Sequence, residues 1–152
     1  SVRFLDGQGK LRALEECALE LSYRHSYFTD HPDCLITSAA FHLRRGDRDA
    51  IRARMDDLME RRRTKQPLEY PSAGSTFKRP EGYFAGKLIQ DSGLKGFTVG
   101  GAQVSEKHSG FVINKGNATA ADVMELIRQV TAKVKEDTGV TMEPEVKQIG
   151  EF

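Results

Sequence analysis

A chain of 152 residues with 38% hydrophobic and 30% charged residues is long enough to bury a core and too apolar for a disordered segment. A formal net charge of +1 excludes a broadly cationic, nucleic-acid-binding surface, so any ligand specificity must come from local patches. No apolar run approaches the ~18 residues of a membrane span, the start SVRFLDGQGK carries no apolar signal region, and Cys17 and Cys34 make neither a disulfide framework nor a C-x-x-C metal set. The expected setting is a reducing cytoplasm.

In chain order, Val2, Phe4 and Leu5 lead into Gly7-Gln8-Gly9, which predicts an opening hairpin. A chain that begins in mid-strand without a Met is expected to be a piece of something larger. Residues 13–20, ALEECALE, predict a short helix, and residues 34–44, CLITSAAFHLR, a strand with His42 as a surface or half-buried member. Gly46 breaks that strand and Asp47 can cap the next helix. Over 49–63 the apolar residues Ile51, Met55, Leu58 and Met59 have helical spacing, and the cations of ERRRTK complement the carboxyl end of the dipole before Pro67 stops the helix.

Residues 64–82 read as a Pro/Gly/Ser-rich connection, followed by a short helix at about 83–92 that Gly93 ends. Residues 96–105 and 109–114 predict two strands joined around Glu106-Lys107-His108. Thr119 and Asp122 match a capping box for the strongest helix of the chain, whose buried stripe is Val123, Leu126, Ile127, Val130 and Val134 and whose stop is Gly139. Residues 142–150, MEPEVKQIG, predict a closing strand. Helices and strands without regular alternation give the α+β class, divided near residues 64 and 65.

The chemistry-bearing residues are few. No nucleotide-binding glycine loop and no H-E-x-x-H or His/Cys cluster occurs, so no metal is expected. Ser75 lies in a small-residue cluster just ahead of Phe77, Lys78 and Arg79, where it can be a nucleophile, a proton donor or a cap. The flanking string A-G-S-T-F is not the G-x-S-x-G of a hydrolase elbow, and alone it favours a structural serine. The basic run at 61–65 reads more readily as a solvated helix end than as a substrate clamp. Glu145, if its strand faces inward, must be paired or protonated.

Taken together, Tyr23-Arg24, RRRTKQPLEYPSAGSTFKRP at 61–80, AGKLIQDSGLKGFTVGGAQVSEKHSGFVIN at 85–114 and EPEVKQIG at 143–150 resemble the UDP-N-acetylenolpyruvoylglucosamine reductases. The resemblance runs through nearly the whole chain in the family's order. It implies a flavoenzyme of peptidoglycan precursor synthesis that uses FAD with NADPH as cosubstrate. The chain corresponds to its carboxy-terminal half: residues 1–64 as the remnant of the second flavin-domain lobe, and 65–152 as the substrate-binding domain and closing strand. The missing amino-terminal half is then an expected partner.

The resemblance also implies roles. Arg24, Ser75 and Glu145 map to the catalytic set, with Ser75 also touching the cofactor and Lys65 binding the UDP-sugar substrate. Arg79 stands where some members carry an asparagine that touches substrate, and His108 where some carry a glutamine near the ligand, so both join Lys65 as expected substrate-binding residues. Lys95 receives no role. The short connection after Leu43 lacks the insertion that supplies a substrate-covering tyrosine in one branch, which places the chain in the shorter branch. A different class of reading keeps the nucleotide-sugar site without redox chemistry, as a non-catalytic binding domain.

Overall fold

In the computed structural model, which describes residues 1–150, Asp6 closes the first hairpin. Its carboxylate accepts from the Gln8 and Lys10 backbones at 3.0 and 2.9 Å and from Arg12 Nε at 3.0 Å. The Lys10 backbone and Arg12 hold that carboxyl below its usual range. The turn joins strands β1 (Val2–Leu5) and β2 (Leu11–Leu14), and β3 (Leu35–Ala39) pairs with the other edge of β1, all antiparallel. Phe4 is buried against Tyr27 and Phe28 of the one-turn helix α1 (Tyr27–Asp30), with ring centroids 6.0 and 5.1 Å away. A capping box between Ser26 and Thr29 starts that turn.

Two expectations fail in this unit. The helix expected at 13–20 does not form: residues to Leu14 belong to β2, and only Glu16–Ala18 make a single 3-10 turn. Pairing with β1 overrides the helical preference of the Ala, Leu and Glu residues. The strand expected to reach residue 44 ends at Ala39, which leaves His42 exposed beyond it.

The chain divides at Arg48 into two compact units. Helix α2 (Arg48–Lys65) opens the second, with none of its side chains buried. Its apolar stripe is present but solvated: Ile51, Met55, Leu58 and Met59 are 46–59% exposed. Ion pairs one turn apart, Arg52–Asp56, Arg54–Asp57 and Arg61–Asp57, support it instead.

The second unit is built on an antiparallel sheet of order β4-β7-β6-β5, from β4 (Ser72–Ser75), β5 (Thr98–Val99), β6 (Ala102–Val104) and β7 (Phe111–Asn114). Helices α3 (Ala85–Asp91) and α4 (Ala120–Thr138) cover one side of it. Ala102, Val104 and Val112 of the sheet meet Leu88 and Ile89 of α3 and Leu126, Ile127, Val130 and Val134 of α4 in one core. The expected capping box at Thr119 and Asp122 is formed, and Gly139 ends α4 at φ +73°.

Three features depart from the sequence reading. The connection at 64–82 contains a strand, β4, although Ser-Ala-Gly-Ser has little intrinsic β preference. The single strand expected over 96–105 folds back at Gly100-Gly101 into β5 and β6. A Cβ at Gly101 would run into the Gly116 carbonyl and the Ala118 backbone, so only glycine fits that fold-back. The closing strand at 142–150 is reduced to one bridge, Phe77 to Pro144, because proline donates nothing to a ladder.

Candidate active site

Ser75 is the last residue of β4, opposite Phe111 of β7 in register, and the two therefore share a sheet face. Its hydroxyl donates to the Phe77 carbonyl at 3.3 Å, and its side is open to solvent. The next residue anchors it. Thr76 is 2% exposed, its N–H donates to the Gly110 carbonyl at 2.9 Å, and its hydroxyl accepts from the Val112 N–H at 3.0 Å. On the other side, the Thr76 carbonyl accepts from the Glu145 N–H at 2.8 Å, and Lys78 N–H donates to the Glu143 carbonyl at 2.9 Å. An ion pair, Lys78 to Glu143 at 3.0 Å, spans the same seam. The fold thus brings the Ser75 and Glu145 segments side by side. Glu145 is half-buried, next to a bridge and outside any strand, which corrects the strand placement expected for it.

His108 borders the same strand pair. Its ring packs edge-on against Phe111 at 5.0 Å between centroids. Nδ1 lies 3.1 Å from the Gly110 nitrogen, and since an amide N–H only donates, the neutral ring carries its proton on Nε2. Two glycines make room for the ring: a Cβ at Gly110 would lie 3.0 Å from its Cε1, and one at Gly86 3.3 Å. Neighbouring Lys107 donates to the Arg63 carbonyl at 2.8 Å and pairs with Glu69 at 3.3 Å. The end of α2 that carries Lys65, itself exposed, is therefore tied to the loop that carries His108. Glu69 lies below the usual carboxylate range, chiefly through its own backbone N–H and then through Lys107.

Arg79 donates from Nε to the Tyr83 carbonyl at 3.2 Å and lays its guanidinium 4.1 Å over the Phe84 ring. Sequence reading gave Tyr83 and Phe84 no role. Nothing in the string GYFAG marks them, and only their 49% and 60% exposure in the structure does. Lys95 is exposed in the turn after α3.

Arg24 belongs to the first unit and is placed there by a tight turn. Ser22 and His25 exchange backbone hydrogen bonds of 3.1 and 3.4 Å, which puts Tyr23 and Arg24 at the apex. Arg24 has φ +58°, a conformation that non-glycine residues adopt infrequently and that recurs at functional sites. Its guanidinium lies 5.7 Å from the Tyr23 ring centroid.

Two cavities flank the second unit's sheet. One of about 380 Å³ lies between Pro71, Ala73, Thr76, Val112, Val123 and Val146. The other, of about 210 Å³, is polar and includes Glu69, Tyr70, Lys107 and Lys115. There Lys115 Nζ donates to Tyr70 Oη at 2.8 Å, which raises the lysine above its usual range. Neither of these cavities is lined by Ser75, Arg79, His108 or Glu145.

Comparison with known proteins bears on what this surface is. Residues 66–149 match the family described as UDP-N-acetylenolpyruvoylglucosamine reductase, C-terminal domain. The chain is 56% identical over 151 residues to UDP-N-acetylenolpyruvoylglucosamine reductase of Clostridium novyi, covering 99% of itself and 49% of that protein. It is equally identical, over 151 residues, to the Pediococcus pentosaceus protein of the same name, of which it covers 50%. The crystal structure of UDP-N-acetylenolpyruvylglucosamine reductase from Thermus caldophilus superposes with a TM-score of 0.79 at 32% identity, covering 96% of this chain and 51% of that one. The chain thus spans about half the length of the curated relatives it matches. With the family match extending from β4 through α4 to the Glu145 segment, the chain belongs to the UDP-N-acetylenolpyruvoylglucosamine reductase family and contains its C-terminal domain.

Proposed function

We propose that this chain works within a cytoplasmic reductase that converts the enolpyruvyl ether of UDP-N-acetylglucosamine to UDP-N-acetylmuramate, for peptidoglycan precursor synthesis, with FAD as cofactor and NADPH as cosubstrate. In this reading residues 65–152 are the substrate-binding domain and 1–64 the tail of a flavin-binding lobe. The backbone bond between Glu145 and Thr76 carries it, because it joins two widely separated motif segments at the serine.

The strand that bears Ser75 fits a flavin. Ala73, Gly74 and Ser75 offer small side chains, and a Cβ at Gly74, where φ is +86°, would meet nothing within 4 Å. That bare edge suits a planar ring brought against it, whereas the sequence contains no glycine motif of the phosphate-cradling kind. When bound, the flavin supplies a hydride to the outer carbon of the enolpyruvyl double bond.

The protein's task is then to manage the negative charge that spreads into the substrate carboxylate. Arg24 stabilises this enediolate as a cation, and Glu145 does so only where it is protonated and donates a hydrogen bond. Ser75 gives a proton to the inner carbon, completing addition of one hydride and one proton across the double bond. Lys65 holds substrate and raises the local positive potential, which offsets the weak acidity of a serine hydroxyl. Arg79 and His108 Nε2–H are further donors for the substrate.

Stopped-flow measurement of flavin reduction and reoxidation as separate phases tests this in the complete enzyme. Ser75→Ala should slow reoxidation by the enolpyruvyl substrate about 10²- to 10⁴-fold, the usual cost of a lost general acid. Reduction by NADPH needs no serine proton and should continue. Ser75→Cys should retain more activity than Ser75→Ala, since a thiol also donates. Reoxidation in Ser75→Ala as fast as in wild type would reduce Ser75 to a loop residue. A wild-type protein that binds the UDP-sugar without reducing it would favour the non-catalytic binding domain.

A further inference from the structure

Helix α2 runs up to a proline, and that leaves one carbonyl without its helical donor. In a continuing helix the Arg63 carbonyl would accept from the N–H of residue 67, but Pro67 has none. Lys107 takes that place from across the unit, with Nζ 2.8 Å from the Arg63 oxygen. The last turn of α2 already carries Arg62, Arg63 and Lys65, so the helix dipole gives no reason for another cation there. Glu69, 3.3 Å from the ammonium, offsets the added charge, and Pro67, Glu69 and Lys107 line the same polar cavity.

The loop that holds Lys107 is itself fixed. Ser105 is 1% exposed, and its hydroxyl accepts from the Lys107 N–H at 3.2 Å and from the His108 N–H at 3.3 Å. Ser105 N–H donates to the Phe111 carbonyl at 2.9 Å, and Phe111 N–H to the His108 carbonyl at 3.0 Å. The lysine therefore reaches α2 from a backbone anchored on both sides. Lys65 lies two residues beyond Arg63, exposed, on the last turn of the helix. Helix ends fray, and a bond at the Arg63 carbonyl restrains the turn that presents Lys65.

We propose that Lys107 is a positioning residue: its ammonium stands in for the donor that Pro67 lacks and so holds the α2 end that presents Lys65 to an anionic ligand. The identity of that ligand as a UDP-sugar rests on the reductase reading, whereas the clamp on the helix end does not. The Lys107 ammonium is occupied by the Arg63 carbonyl and Glu69, so the lysine that meets the ligand is Lys65.

Deuterium exchange and calorimetric titration of the complete enzyme test this role. Lys107→Met keeps the stem and removes the ammonium. The amides of residues 64–66 should then label about two- to tenfold faster, the range for one lost hydrogen bond, while those of Val104 and Ile127 keep the wild-type rate. Unchanged labelling at 64–66 would overturn the clamp. Affinity for UDP-N-acetylmuramate should fall about two- to tenfold in Lys107→Met and about ten- to a hundredfold in Lys65→Ala. In the Lys65→Ala background, Lys107→Met should change affinity less than about twofold, because it acts through Lys65. Equal losses in both backgrounds would put Lys107 on the ligand itself and overturn the positioning role. Glu69→Gln, which leaves the Arg63 bond in place, should bind as wild type does. A loss as large as that of Lys107→Met would assign the effect to the ion pair and overturn the proposal. Faster labelling at 64–66 in Lys107→Met, beside a complete enzyme that neither binds nor reduces the UDP-sugar, would retain the clamp and remove the reductase reading.

Discussion

At the scale of single residues, Thr76 holds the candidate site together more than Ser75 does. Its buried hydroxyl is the acceptor for the Val112 N–H, and its carbonyl receives the Glu145 N–H. Thr76→Val keeps the shape and removes the acceptor, leaving a buried amide unsatisfied at about 1–3 kcal/mol. Urea unfolding should show a lower midpoint at an unchanged m-value, and Thr76→Ser should lose less because it keeps the oxygen. An unaltered midpoint for Thr76→Val would mean that water already serves the Val112 amide. Its neighbour behaves differently. Ser75 makes one 3.3 Å bond to a nearby carbonyl and is open to solvent, so structure alone explains little of why a hydroxyl is there.

At the scale of elements, α4 is the clearest case of sequence dictating structure. Cap, stripe and stop are all readable, because helical period, a Thr/Asp box and a left-handed glycine are local signals. Val130 is fully buried at the centre of its stripe. Val130→Asp should cost about 2–5 kcal/mol or more, from the lost side chain and an unpaired charge. An unchanged melting temperature would contradict the packing of α4 on the sheet. Elements that depend on distant partners are less legible. β4 is a strand because β7 supplies its hydrogen bonds, β2 because β1 does, and neither Ser-Ala-Gly-Ser nor Leu-Arg-Ala-Leu announces a strand alone. The stripe of α2 predicts the helix correctly but not its exposure, since periodicity tells which residues share a face and not what covers it.

At the scale of the whole molecule, part of the acid sensitivity arises from the exposed faces of α4, beside the lowered carboxyls of Asp6 and Glu69. Arg128, and then Gln129, hold the Glu125 carboxyl down from 4.5 to about 2. A carboxyl with a depressed folded-state pKa stabilises the fold above its unfolded value, and that contribution is lost as pH falls through the folded value. The window here runs from about 4.5 down to about 2. Asp122 and Asp137 are lowered too, through Thr119 and Lys133, and add in the same direction. Glu125→Gln should flatten the fall of melting temperature with acid across that window. The effect should shrink in high salt, as the pair is half-exposed. An acid limb as steep as that of wild type would show the pair to be energetically idle. The candidate site is legible in sequence only as scattered strings whose odds rise when read together. The exposure of Tyr83 and Phe84 is not legible, because exposure is a property of the folded chain. The site also has a lifetime of its own. Residues 143–145 lie outside any strand and meet 76–78 through backbone hydrogen bonds and an exposed ion pair, with Phe77 and Met142 anchoring the two segments in the core. A seam outside the regular ladder can open without global unfolding. In deuterium exchange the Glu145 and Lys78 amides should label well before those of Val104 and Ile127, and saturating UDP-sugar should slow labelling at the seam. The alignment of Glu145 with Ser75 is then a population that ligand occupancy can shift.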